Sequence, residues 1–192
     1  MQSEILNLYP TEVMFGQFDE DIVSAAAQEL LMKGNFENGG DLSDQNLLSD
    51  VHGLTELRKF FDTYGFEKFN EYSQKVFNHK LNRTDYRFKA WANNGAGNYS
   101  LGFHNHSGAQ LSAVFYLLVE DANKHGGKFR FHDPRFNANR GMTQTFAYKH
   151  KDFEFSPVTG GFVIFPSYLY HSVATFHGRI RLFMPVDMFE KD

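Results

Sequence analysis

The 192-residue sequence predicts a mainly β fold with a helical N-terminal third, and three observations carry that prediction. Before residue 85 the apolar side chains recur three to five positions apart. From Tyr86 onward they come in short aromatic and branched runs, many alternating with polar residues. Between those runs stand turn signals such as Gly95-Ala96-Gly97-Asn98, Gly126-Gly127 and Gly160-Gly161.

The helices come first. Asp19-Glu20-Asp21 place carboxylates where a helix N-terminus favours them, and Ile22, Val23, Ala26, Leu30 and Leu31 follow at helical spacing up to Gly34. The stretch 35–50 is rich in Gly, Asn, Asp and Ser without periodicity and reads as a surface loop. Leu54, Leu57, Phe61, Tyr64, Phe69, Tyr72 and Val76 then mark one long helix over 54–80, or two that kink at Gly65. In the remainder, candidate strands fall at 88–91, 111–119, 128–132, 145–149, 162–165, 172–176 and 179–186. Seven or eight strands at 8 to 18 residue spacing make a sandwich or barrel, with the helices covering one face. The length suits one domain over 1–192, helical over 1–85 and β over 86–192.

Composition narrows the chemistry. There is no cysteine, which excludes disulfides, thiolate ligands and cysteine nucleophiles, and suits a reducing, cytoplasmic setting. A net charge of -4 with no long basic run gives no electrostatic footprint for nucleic acid, and no apolar run approaches a membrane span. Phenylalanine is frequent, at 22 residues, but is spread along the chain as core filler. Ser167 and Ser172 flank a histidine in sequence, yet no Gly-x-Ser-x-Gly turn and no phosphate-binding loop accompany them. Any site must be built from His, carboxylates and Arg.

The strongest chemical signal is His104-Asn105-His106, answered by His171 in Phe165-Pro166-Ser167-Tyr168-Leu169-Tyr170-His171. Along a strand, residues i and i+2 share a side, so two imidazoles can reach one cation while Asn105 points away. A third histidine from a distant strand closes one face of the coordination sphere and leaves the other open, as a catalytic metal requires. Of the other histidines, His52, His79, His125, His150 and His177 show no such spacing. Eight residues after His171 comes Arg179, with Arg181 on the same face by parity, and either could pair bidentately with a carboxylate.

With these residues in place, the chain resembles the 2-oxoglutarate/Fe(II) oxygenases of bacteria and tailed phages, a branch of the double-stranded β-helix superfamily related to prolyl hydroxylases. The matching blocks are Asn7-Leu8-Tyr9-Pro10-Thr11, Trp91-Ala92-Asn93, Gly97-Asn98-Tyr99 leading to His104-Asn105-His106, and Leu111-Ser112-Ala113-Val114-Phe115-Tyr116-Leu117. Gly127 through Phe131 with Asp133-Pro134-Arg135, Gly161 to His171, and Arg179-Ile180 follow in order. The resemblance implies a jelly-roll, cupin-like β-helix packed against two or three helices. It implies a dioxygenase that uses Fe(II), 2-oxoglutarate and dioxygen, releases succinate and CO2, and hydroxylates a protein side chain or small molecule. His104 would be the first ligand and His171 the distal one, Arg179 would bind the far carboxylate of 2-oxoglutarate, and Tyr116 would hydrogen-bond the same cosubstrate.

The departure lies at position 106, where most of the superfamily carries Asp or Glu and this chain has His106. Three histidines are the preferred ligand set; Asp133 as an alternative ligand, or water, also completes two. Two other readings stand beside the oxygenase: a cupin-like metal enzyme that does not use 2-oxoglutarate, and a non-catalytic, phage-associated binding module. The loops 35–50 and 136–141 are expected near the mouth of the site.

Overall fold

The computed structural model describes residues 10–33, 46–135 and 152–191. Helix α1 (Glu20–Lys33) begins with Glu20 and Asp21 and ends on Lys33, charges that complement the helix dipole at both ends. Helices α2 (Thr55–Phe60) and α3 (Phe66–Phe77) are the two halves of the long periodic stretch. They are joined without a break by a π turn over Phe61–Gly65. The additional residue of that turn lets two consecutive aromatics, Phe60 and Phe61, both face inward, at 3% and 0% exposure. No side chain of α2 caps its own start. Glu29 of α1 accepts from the backbone N–H groups of Thr55 and Leu57, both at 2.9 Å. Burial would raise the Glu29 carboxyl pKa, but those two N–H bonds and Lys33 outweigh it and hold the pKa below the usual value.

The β part is two facing antiparallel sheets. Strands β1 (Met14–Gln17), β8 (Gly161–Pro166), β5 (Leu111–Val119), β10 (Arg181–Glu190) and β2 (Tyr86–Ala90) form the larger in that order, with the short β3 (Asn93–Asn94) also paired to β10. The smaller runs β4 (Tyr99–His104), β9 (His171–Phe176), β6 (Phe129–Phe131) and β7 (Phe153–Phe155), and a one-turn helix α4 (Ala122–His125) precedes β6. Mainly β, with helices on one side, is the fold class that the sequence predicts, and the sheets form a double-stranded β-helix.

Period-two alternation decides what each large-sheet strand offers to either side. Ala113, Phe115 and Leu117 of β5, with Leu182, Met184, Val186 and Met188 of β10, pack against Leu30, Leu57, Phe61 and Phe69 of the helices. Fully burying each such side chain contributes roughly 1.5–3 kcal/mol. The opposite faces of the same strands send Val114, Tyr116 and Phe183 toward Phe129, Phe131 and Val173 of the small sheet. The space between the sheets is filled at one end and open at the other, and the open end is a cavity of about 460 Å3.

Several elements differ from expectation. The last strand begins at Arg181, because Gly178 and Arg179 bend the chain before it. Strands β1, β3 and β7 and helix α4 were not expected; β4 was expected only as a strand end at the His-x-His, and it is partly or wholly exposed along its length, so it carries no buried-face pattern to betray it. The expected strand at 145–149 and the mouth loop at 136–141 lie outside the described residues, as does most of the loop at 35–50.

Candidate metal centre

Strands β4 and β9 are antiparallel neighbours, and His104, the last residue of β4, stands directly opposite His171, the first of β9. His106 sits two residues further on, and its backbone N–H is held by the Ser167 carbonyl at 3.0 Å. The three imidazoles converge, one nitrogen of each lying within 4.8 Å of the others.

Their hydrogen bonds define which nitrogen faces inward. Nδ1 of His104 meets the Gly102 carbonyl at 2.8 Å, and Nδ1 of His171 meets the Leu169 carbonyl at 2.9 Å. Nδ1 of His106 meets the Asp187 carboxylate, 2.8 Å from Oδ1 and 3.0 Å from Oδ2. All three partners can only accept, so each Nδ1 carries a proton, which in a neutral ring leaves Nε2 with its lone pair. The Nε2 atoms of His106 and His171 are 3.2 Å apart. Two lone pairs at that distance repel unless a cation lies between them. Two imidazole nitrogens bound about 2.1 Å from one ion at right angles would be about 3 Å apart. The donor set therefore fits a divalent metal held on one face with open positions opposite, and neutral imidazole suits iron.

Burial favours the neutral form of His104 and His171. Removal from water, reinforced by the neighbouring histidines, pushes His171 down to about 3. Desolvation likewise lowers His104, against the opposing pull of the Gly102 carbonyl. Aromatic rings fix the orientations: Phe129 stacks on His171 with 5.1 Å between centroids, Phe165 meets it edge-on at 4.9 Å, and Trp91 stacks on His106 at 5.6 Å.

The second feature of the cavity is Arg181. It is 1% exposed, and among the described residues no carboxylate pairs with it. One nitrogen, Nη1, donates to the Gly127 carbonyl at 2.9 Å, while Nε and Nη2 are buried without a partner. Leaving such donors unmet costs about 1–3 kcal/mol each, more for a charged group. Tyr99, Phe176 and Phe183 surround the guanidinium with their rings, centroids 5.1–5.3 Å away. The backbone is cut back to make room: a Cβ on Gly127, whose φ is +77°, would lie 2.3 Å from Nη1, and one on Gly95 would lie 2.9 Å from Nε and Nη2. Tyr116 lines the same cavity, and burial raises its phenol pKa, so it stays protonated. Two guanidinium N–H groups without a partner among the described residues, beside a protonated phenol, have the chemistry to receive a carboxylate.

Of the residues singled out from sequence, His104, His106, His171, Tyr116 and Arg181 line this one cavity. Arg179 does not. Its side chain is 93% exposed and turns back to Glu120, whose carboxylate also accepts the Arg179 backbone N–H. The parity argument put both arginines on one face, but the strand that would extend that face starts only at Arg181. Asp133 is not among the residues that line the cavity or join the histidine cluster, and its carboxylate is taken bidentately by Arg135, at 2.9 and 2.7 Å. Sequence reasoning missed Asp187, together with Ser112 and Ser167 behind it. The available signal was parity, since Asp187 stands an even number of residues after Arg181 on the same strand.

Residues 89–187, just over half of the chain, match the family described as "Putative 2OG-Fe(II) oxygenase". No curated protein matches by sequence. Among solved structures, the fold resembles a prolyl hydroxylase from Trichoplax adhaerens in complex with a hypoxia inducible factor peptide fragment. That likeness has 13% identity and a TM-score of 0.61, over 93% of this chain and 83% of that one. It also resembles a Pseudomonas putida prolyl-4-hydroxylase, at 17% identity and a TM-score of 0.57, over 95% and 89%. A 2OG-Fe(II) oxygenase family oxidoreductase from Burkholderia pseudomallei is similar at 18% identity and a TM-score of 0.50; 73% of this chain is matched and 57% of the other's length is spanned.

Proposed function

The chain belongs to the 2-oxoglutarate/Fe(II) oxygenases, and on that premise we propose that the cavity between its sheets is the active site. In this reading His104, His106 and His171 hold the iron through Nε2, and Arg181 and Tyr116 hold the distal carboxylate of 2-oxoglutarate. The observation that carries it is the coexistence, in one cavity, of three converging Nε2 lone pairs and a buried guanidinium with two unmet N–H groups. When bound, iron and 2-oxoglutarate supply dioxygen activation coupled to oxidative decarboxylation, giving succinate, CO2 and an oxidised substrate C–H bond.

The protein's own contribution is placement. Arg181 offers Nε–H and Nη2–H as a planar fork, so a carboxylate docked there is fixed in direction as well as position. Tyr116 keeps its proton and can donate to the same group. The stacked rings of Phe129 and Trp91 hold His171 and His106 in their orientations and exclude water from the ligands. Toward solvent the cavity ends at Lys89, whose ammonium lies 5.9 Å from the Trp91 ring, and at Leu101 and Phe189. We infer that the substrate, a protein side chain or a small molecule, enters over this half-apolar rim. The peptide bound to the Trichoplax protein supports the first of these. No helix among the described residues is long and apolar enough to cross a membrane, and the absence of cysteine supports a cytoplasmic setting. We also take the helices and sheets as one domain, because a single core cluster contains side chains from both.

The test is succinate release from 2-oxoglutarate by protein purified without air and supplied with Fe(II). The wild type should turn over slowly even without substrate, and His171→Ala should abolish both iron retention and turnover. Succinate formation that survives His171→Ala would overturn the assignment.

A further inference from the structure

Three neutral imidazoles bring no negative charge to a divalent cation, and Arg181 adds a positive charge to the same cavity. Among the described residues that line it, the acid is Asp187. It is 7% exposed, and its carboxylate straddles Nδ1 of His106 at 2.8 and 3.0 Å. Asp187 is itself held in place. Ser112, directly opposite it on β5, donates to Oδ1 at 2.6 Å, and the Ser112 and Ser167 hydroxyls are 2.8 Å apart. Ser167 also accepts the His106 backbone N–H through its carbonyl at 3.0 Å. Ser112 and Ser167 are 0% and 1% exposed. Buried polar clusters are costly unless every member is paired, and this one is paired around a single imidazole.

We propose that Asp187 is a positioning residue that serves as the metal centre's carboxylate one shell out, acting through His106. Its acceptor oxygens lock His106 with Nδ1 protonated and Nε2 free, raise the electron density that Nε2 offers, and bring the site's one negative charge to within an imidazole's width of the cation. The inference rests on the three-histidine reading of the iron site.

The test uses Co(II) added to the apoprotein, with the dissociation constant from competitive titration and the visible ligand-field band as readouts. Asp187→Asn keeps the shape and one acceptor but removes the charge. It should weaken Co(II) binding about 10- to 100-fold and shift the band. The decisive arm is the background His106→Ala, which removes the imidazole through which Asp187 would act. There Asp187→Asn should change the already weakened Co(II) affinity far less than it does beside His106, and should leave the band in place. Non-additivity of this kind is what a residue acting through His106 produces, and a merely structural residue would not produce it. Should Asp187→Asn fold poorly, Ser112→Ala replaces it: with one competing donor gone, the carboxylate turns wholly to His106, and the band should move in the opposite direction. An equal effect of Asp187→Asn in both backgrounds, or an unmoved band beside His106, overturns the proposal while leaving the iron site intact. Co(II) binding that is absent in the wild type, or indifferent to His171→Ala, overturns the iron site and this inference with it.

Discussion

Replacing Arg181 by Gln removes the cavity's cationic fork while keeping a polar side chain of intermediate length. The free guanidinium offers two N–H groups, Nε and Nη2, to an incoming carboxylate. Hydrogen bonds to charged groups contribute about 1.5–3 kcal/mol each, so their loss should cost about 3 kcal/mol at the low end. At about 1.4 kcal/mol per decade, that is a weakening of 2-oxoglutarate binding by roughly 100-fold or more. Arg181→Lys keeps the charge but loses the planar fork and should fall between wild type and Gln. Arg179→Gln is the contrasting variant: with a side chain 93% exposed and turned to Glu120, it should bind 2-oxoglutarate as the wild type does. Calorimetric titration of 2-oxoglutarate into Co(II)-loaded protein without dioxygen reads the affinities, and thermal melting reports whether each variant is folded. The reasoning is refuted if Arg181→Gln binds normally, or if Arg179→Gln loses as much affinity.

Gly127→Ala should lower both stability and 2-oxoglutarate affinity, since its φ of +77° disfavours a side chain and the new Cβ would lie 2.3 Å from Arg181 Nη1. Backbone strain of about 1–2 kcal/mol corresponds to a fall in Tm of about 2–8 °C, and calorimetric titration showing unchanged affinity would count against the cradle. For pH, His171 is held down to about 3 in the folded apoprotein and titrates near 6.5 when unfolded. Between those values the unfolded chain binds the extra proton, so this contribution to stability is complete above about 6.5 and drains away as pH falls. The slope is on the order of 1 kcal/mol per pH unit. Urea unfolding of apoprotein at pH 7, 6 and 5 should give a steeper loss for wild type than for His171→Leu; equal slopes would contradict it. Leu57→Ala, at a position of 0% exposure among the helices, should cost about 2–5 kcal/mol in urea unfolding while leaving Co(II) affinity of the folded protein unchanged.

The histidine cluster was legible because His104 and His106 stand two apart where a strand ends, a spacing that lets both imidazoles reach one cation. His171 was legible only as a partner to them, since its position opposite His104 is a matter of register. The choice between Arg179 and Arg181 was beyond sequence, because both have the right parity and only the bend at Gly178 and Arg179 removes the first from the strand. Asp187 was hidden differently. In Met184-Pro185-Val186-Asp187-Met188-Phe189 a lone carboxylate reads as a solvent-facing residue on an alternating strand, and what buries it is the second sheet closing over it. Helix α1 was found nearly to the residue because its charges and apolar spacing agree; β4 was legible only at its end because both of its faces are partly open.

Strand β10 interleaves two messages in one line of text. Its even-numbered residues from Leu182 to Met188 touch the helix-side core, and its odd-numbered residues from Arg181 to Phe189 touch the cavity. Apart from Phe183, which also packs between the sheets, substitutions at odd positions can therefore rewrite what the site recognises, one residue at a time, while the helix-side core stays as it is. A single inserted or deleted residue has the reverse character: it would exchange the two messages, sending Asp187 into the hydrophobic layer and a valine or a methionine to His106. Along this strand, heritable change in chemistry is open to point mutation and closed to changes in length.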